Sequence, residues 1–160
     1  MTRAHCTLSS PLGPLTLVAD DGALVGVYMT DHKHAPSDHG PRDDDAAPLP
    51  EARRQLTEYF AGEREGFDLP TRSHGTEFQQ RVWAALARIP YGQTWSYARL
   101  AAEVGNPKAA RAVGLANGRN PVSIVVPCHR VVGASGALTG YGGGVENKRI
   151  LLELEGITPG

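Results

Sequence analysis

The chain has 160 residues, is 41% hydrophobic, carries a formal net charge of −1 and contains two cysteines, Cys6 and Cys128. That length accommodates one domain or two small ones and buries a core without disulfide staples. No long apolar run is present and no apolar leader follows Met1, so neither a membrane span nor a secretory signal is expected, and two thiols fit a reducing cytoplasm better than a cross-linked secreted protein.

The near-neutral total hides an asymmetry. Residues 1–70 hold six Lys and Arg against twelve Asp and Glu, whereas residues 71–160 hold ten against five. A basic half is compatible with a polyanionic partner, although solvated surface charge alone would give the same count.

In chain order, Leu15–Val18 and Leu24–Tyr28 read as strands around Asp20-Asp21-Gly22, a hairpin turn whose glycine tolerates positive φ. From Asp31 to Pro50 the chain turns polar, with four prolines and the run Asp43-Asp44-Asp45, and is expected to be a mobile loop. Pro50 then opens a short helix with Leu56, Tyr59 and Phe60 inward, stopped at Gly62. Thr76 and Gln79 form a capping box ahead of a helix whose apolar stripe is Phe78, Val82, Ala85, Leu86 and Ile89. Ser96 caps another short helix through Val104. Gly105-Asn106-Pro107 makes a turn, and a further helix runs from Lys108 to about Asn117, the outline of a helix-turn-helix. Val122–Val126 is β-branched enough for a buried strand or extended segment. Gly133–Gly144 is a glycine-rich loop, and Asn147–Glu155 a last helix closed by Gly156. That loop followed by Lys148 does not match a phosphate-binding Gly-x4-Gly-Lys-Ser/Thr pattern.

Chemistry concentrates at Pro127-Cys128-His129. A thiol becomes a strong nucleophile when its thiolate is favoured, and His129 is a candidate base with Glu155 to orient it. Side chains adjacent along an extended segment point apart, so His129 reaches Cys128 through a bound water or across a turn. Adjacency alone is no evidence, since a buried inert cysteine beside a structural histidine has the same sequence.

The run from Asn120 through Pro127-Cys128-His129-Arg130-Val131 resembles the active-site signature of the methylated-DNA–protein-cysteine methyltransferases, or O6-alkylguanine-DNA alkyltransferases. Phe78–Trp83, Ile89–Gly92, Ser96-Tyr97, Ala110–Gly114 and Gly140–Gly143 follow in the family's order and spacing, and Ser9–Gly13 resembles the start of its N-terminal domain. The similarity is dense over 75–156 and thin before that.

The resemblance implies an α/β fold in two parts. Residues 1–70 would form a small antiparallel sheet domain with one helix, and residues 71–160 a mainly helical domain with the helix-turn-helix. It implies DNA repair by single, irreversible transfer of a methyl group from O6 of guanine, with O4-methylthymine as a lesser substrate. Cys128 would accept the alkyl group, His129 act as base through water, and Glu155 orient it. Asn120 would hold the turn around the thiol. Tyr97 would assist nucleotide rotation and donate a proton to the leaving guanine. Arg111 would fill the gap left by the extruded nucleotide. Ala109, Ala110, Ala112 and Gly114 would let the second helix approach the minor groove, where sequence is read poorly; good helix formers alone would also explain the alanines. Val131, Tyr141 and Gly142 would line the base pocket, with Lys148 neutralising charge there.

The expected partner is double-stranded DNA bound by a monomer in a cytoplasmic setting, without membrane contact, cofactor or metal. Some relatives carry an N-terminal zinc, but His5, Cys6, His32, His34 and His39 lack ligand spacing and read as scattered surface residues. Ser123 stands where some relatives have proline, which leaves alkyl-size range open, and Gly142 where some have serine. Cys128 sets the chain apart from a related group that binds lesions without a cysteine, and no attached metal-binding regulatory domain is expected. Two other readings use the same residues: a helix-turn-helix regulator indifferent to Cys128→Ser, and a cysteine hydrolase with sustained turnover.

Overall fold

The computed structural model describes residues 3–158. Three strands, β1 (Ala4–Leu8), β2 (Leu15–Asp20) and β3 (Ala23–Tyr28), form an antiparallel sheet in the order β1-β2-β3. The β2–β3 turn places Asp21 at φ 51° and Gly22 at φ 80°, two left-handed residues whose twist matches that of the strands they join. β1 lies outside the strands the hydrophobic pattern predicts, because its buried Ala4 and Cys6 are small and alternate with polar His5 and Thr7, which leaves no strong apolar run.

The segment 31–50 departs from the mobile loop expected of it. His5 donates its amide to Pro41 O at 3.0 Å and accepts from the Asp43 amide at 3.0 Å, so residues 41–43 extend the sheet beside β1. The His5 ring bonds Gly40 O at 2.8 Å, His39 stacks on Tyr28, and the Met29 amide donates to His32 Nδ1 at 3.1 Å. Backbone pairing and ring contacts replace the apolar burial that its composition lacks. The histidines there are therefore packed rather than scattered over the surface, apart from the exposed His34.

Helix α1 (Leu49–Phe60) lays Leu49, Ala52, Leu56 and Tyr59 against the sheet. Helix α2 (Glu77–Leu86) opens on the anticipated capping box. Thr76 Oγ1 accepts from the Gln79 amide at 3.1 Å, and Gln79 Oε1 accepts from the Thr76 amide at 3.0 Å. Val82, Trp83, Ala85 and Leu86 form its buried stripe, and the Trp83 indole donates to Ala116 O at 2.9 Å.

Strand β4 (Trp95–Ser96) leads directly into α3 (Tyr97–Glu103), with Ser96 capping the Arg99 amide at 3.0 Å. After a turn at Gly105, α4 (Ala110–Gly118) completes the helix-turn-helix. A 3₁₀ turn, Cys128–Arg130, feeds β5 (Val131–Val132), which pairs in parallel with β4 as Trp95↔Val131 and Ser96↔Val132. Helix α5 (Val145–Leu154) ends at Gly156, φ 85°. This is the α/β class expected, a small antiparallel sheet followed by a mainly helical part.

One hydrophobic core runs through both parts. Leu15, Leu17 and Leu24 of the sheet and Leu56 of α1 belong to the same buried cluster as Val82, Leu86, Leu100, Val113 and Leu151. Among the described residues no helix is long and apolar enough to cross a membrane. Both cysteines are free and buried.

Because both capping bonds of α2 are formed at the surface, Thr76→Ala is expected to lower unfolding free energy by about 1 kcal/mol, measured by urea titration, with little change in the m-value.

Candidate active site

The thiol is delivered by a tight turn. The predicted extended segment at 122–126 does not form a strand. Ile124 adopts φ 72°, and the Val126 amide returns to Val122 O at 2.9 Å. A β-branched residue in the left-handed region is strained by roughly 1–3 kcal/mol, so the surroundings must impose it. Asn120 does so with both ends of its amide. Its Oδ1 accepts from the Val122 amide at 3.1 Å and its Nδ2 donates to Val126 O at 2.9 Å. Asn117, on the last turn of α4, donates to Cys128 O at 3.4 Å.

Cys128 is 3% exposed, yet its setting is polar. Asn120 and Ser123 lie within hydrogen-bonding reach of the sulfur. The Tyr141 hydroxyl, buried without a well-formed hydrogen bond of its own, stands against the thiol and Ser123. Burial raises the Cys128 thiol above its ordinary value, and Asn120, the Lys148 charge, Ser123 and Tyr141 act in the opposite direction. The resting group is therefore a thiol: removal from water outweighs its polar neighbours. Cys6, by contrast, sits in the apolar core on β1.

His129 and Glu155 are both buried, and Nε2 lies 2.7 Å from Glu155 Oε2. No hydrogen bond links His129 directly to the sulfur among the described residues. Successive side chains of a 3₁₀ turn diverge by about 120°, which carries the two apart. Glu155 is further bound by Arg130, whose Nε reaches Oε1 at 2.8 Å and whose second terminal nitrogen reaches Oε2 at 3.1 Å. The Tyr59 hydroxyl donates to Oε2 at 2.5 Å, and the Gly92 amide to Oε1 at 3.2 Å. Burial pushes the Glu155 carboxyl up, but the hydrogen bonds from His129, Arg130 and Tyr59 more than reverse this and hold it at about 2. A carboxylate so held is an acceptor, so His129 Nε2 carries the proton it donates. Nδ1, buried with no protein partner, is left free to accept one. Burial lowers the His129 pKa, only partly offset by Glu155, and keeps the ring neutral at rest.

Lys148 is fully buried, and its ammonium donates to Thr139 O at 3.0 Å. Burial lowers it to about 8, against the pull of Cys128.

The helix-turn-helix flanks this centre with two hollows, one on either side of α4. A hollow of about 440 Å³ gathers Tyr97, Arg111, Gly114, Gly133, Thr139 and Gly140. There the Tyr97 hydroxyl is 2.8 Å from Thr139 Oγ1, and the Tyr97 ring lies flat enough to pass 3.5 Å from where a Gly114 Cβ would stand. The second hollow, about 600 Å³, is lined by Ala112, Gly114, Gly140, Tyr141 and Gly142 among others. Arg111 and Ala112 are exposed, and Ala109 and Ala110 half-buried. Val131 is fully buried, its backbone engaged with Trp95, and it lines neither hollow. Cys128 lies behind Tyr141 and lines neither hollow itself.

Four groups at the site fall outside the sequence expectation: Tyr59, Arg130, Asn117 and Leu115. Arg130 carried a legible signal, a charge inside an apolar run that needs a partner when buried. Tyr59 carried a weaker one, a hydroxyl on the inward face of a helix. Leu115, 70% exposed on α4 one turn beyond Arg111, is a large apolar side chain among small ones on the outer face.

A shielded cysteine, backed by a buried His–Glu pair and set behind a helix-turn-helix, defines a nucleophile kept for a substrate that is brought to it. The description "6-O-methylguanine DNA methyltransferase, DNA binding domain" matches residues 77–157, and "6-O-methylguanine DNA methyltransferase, ribonuclease-like domain" matches residues 5–73. The methylated-DNA–protein-cysteine methyltransferase of Mycobacterium tuberculosis is 54% identical over 149 residues, covering 93% of this chain and 90% of its own. The constitutive one of Bacillus subtilis is 45% identical, covering 96% of each. The crystal structure of Mycobacterium tuberculosis OGT in complex with DNA superposes with a TM-score of 0.90 at 53% identity, covering 96% of this chain and 93% of that one. The chain belongs to the methylated-DNA–protein-cysteine methyltransferase family, whose chemistry is direct DNA repair by alkyl transfer to a cysteine.

The Glu155 carboxyl, at about 2, lies below its ordinary 4.5. Its ionisation therefore stabilises the fold above about pH 4.5, and that contribution is lost as pH falls towards 2. Urea titrations of the wild-type chain and Glu155→Gln should differ most above pH 5, and the gap should narrow by up to about 3 kcal/mol by pH 2. A gap that does not depend on pH would contradict this placement of the charge.

Proposed function

We propose that this chain removes the alkyl group from O6-methylguanine in double-stranded DNA by transferring it once to Cys128. The observation that carries the assignment to this residue is the contrast between the two thiols. Cys6 is packed among apolar side chains, whereas Cys128 sits among Asn120, Ser123, Tyr141 and Lys148, next to a neutral histidine with a free ring nitrogen.

An alkylated O6 lies inside the base stack, so the nucleotide must leave the duplex, at roughly a few kcal/mol. Arg111, exposed on α4, suits the vacancy, and the exposed Leu115 one turn later is an apolar wedge of the kind that props open a minor groove. The extruded base enters beside Tyr141 and Gly142, whose buried ring and close backbone favour a flat ligand. Lys148 offsets charge that develops near the sulfur.

The step balances as a displacement. The Cys128 proton passes through a bound water to His129 Nδ1, and the sulfur pair forms a bond to the alkyl carbon. The carbon–O6 bond breaks with its electrons going to guanine, which takes a proton from Tyr97; the Tyr97 phenolate then regains a proton through solvent as the His129 imidazolium releases one, so the thiol proton ends, in net, on guanine. Glu155, held ionised, stabilises the resulting imidazolium. A thioether is left, and no group at the site is placed to cleave it, so each molecule acts once. O4-methylthymine presents the same alkyl–oxygen bond and is the lesser substrate in this reading. Residues 71–160 carry all these groups except Tyr59, with 1–70 packed behind them as a second unit, and one chain suffices.

Incubation with a duplex containing O6-methylguanine, followed by peptide mass spectrometry, should show one added methylene on the Cys128 peptide, saturating at one equivalent. Cys128→Ser should abolish transfer yet retain duplex binding, and sustained turnover or modification elsewhere would defeat the assignment. Arg111→Ala should slow transfer tenfold or more, since each 1.4 kcal/mol of lost stabilisation of the extruded state is about a factor of ten in rate.

A further inference from the structure

The hydroxyl of Tyr59 makes the shortest of the contacts to Glu155, and it comes from α1, 96 residues away in the chain. Tyr59 is wholly buried, its ring wedged among Phe60, Phe67 and Tyr91, so the hydroxyl has one orientation available. It donates to the same oxygen, Oε2, that accepts from His129 at 2.7 Å. One carboxylate oxygen thus serves both His129 and a residue on the opposite part of the molecule.

We propose that Tyr59 is a positioning residue of the Glu155–His129 relay, fixing the carboxylate and tempering how strongly that carboxylate stabilises the His129 imidazolium. The inference rests on His129 acting as the base for transfer to Cys128.

The direction follows from charge-sharing. Each donor to Oε2 draws off part of its negative charge, and less remains to stabilise a cation on His129. Other groups act on the same pair from every neighbouring element. Arg130 binds both carboxylate oxygens, and the Gly92 amide binds Oε1. The Tyr91 hydroxyl bonds Leu154 O and faces the carboxylate electrostatically, and Lys148 of α5 acts on His129 from behind the thiol. Among them Tyr59 and His129 alone combine a neutral donor, a side chain and the oxygen Oε2. Burial and the adjacent Glu155 charge hold the Tyr59 phenol far above its ordinary range, so it remains a donor at every working pH.

Tyr59→Phe removes one oxygen and keeps the ring packing. Its single-turnover transfer rate, measured against pH on an O6-methylguanine duplex, should show the low-pH limb displaced upward by about half a unit or more, because His129 holds its extra proton more readily. Affinity for the duplex should be unchanged. Site-specific replacement of Tyr59 by 3-fluorotyrosine, a nearly isosteric and stronger donor, should displace the limb downward, and it decides the matter if the phenylalanine variant fails to fold. A limb that stays put in every folded variant, with only thermal stability altered, would overturn the role proposed for Tyr59. Absence of any methyl transfer by the wild-type chain would instead overturn the functional reading beneath it.

Discussion

A single buried carboxylate organises this molecule. An ionised Glu155 away from water would cost several kcal/mol if left bare, and removing one partner from such a centre commonly costs 3–5 kcal/mol. Its five hydrogen bonds come from α1, from the loop after α2 and from the turn that bears the thiol. The charge can be carried out of water only when those segments are assembled together. Folding and the readiness of the site are therefore one event, and the continuous hydrophobic core that crosses both parts of the chain has the same implication.

The thiol obeys a complementary rule. Its environment is polar enough to receive a negative charge and dry enough to discourage one. A cysteine used once gains nothing from ionising in the absence of substrate, since a standing thiolate is open to oxidants and stray electrophiles. Burial that favours the neutral thiol, with a neutral histidine alongside, protects the group in the absence of substrate. Placement behind Tyr141, not within either open hollow, serves the same end.

Local chemistry was legible in the sequence wherever a residue acts through its nearest neighbours. The capping box at Thr76 and Gln79, the Asp21-Gly22 turn, the Ser96 cap and the Gly156 stop all rest on contacts within a few residues, and each stands where expected. The Pro-Cys-His-Arg-Val run marked the turn that carries Cys128. What escaped depended on distant parts of the chain. β1 exists through its pairing with β2 and with residues 41–43, which turned an apparently loose polar segment into a sheet margin. Val122–Val126 has strand-like composition, but Asn120 closes it into a turn and forces Ile124 to positive φ. Arg130 and Tyr59 signalled locally that a partner was needed, but no local pattern records that the partner is Glu155, so remote in the chain.

The two-rung ladder between Trp95–Ser96 and Val131–Val132 is small, but it joins the two residues immediately before α3 to the two that follow the Cys128–Arg130 turn. Tyr97 and Cys128 are consequently tied to one another by backbone pairing close to each. Under the function proposed above, the span from the start of the helix-turn-helix to the sulfur is set by backbone pairing, and a nucleotide of any sequence context meets the same reach.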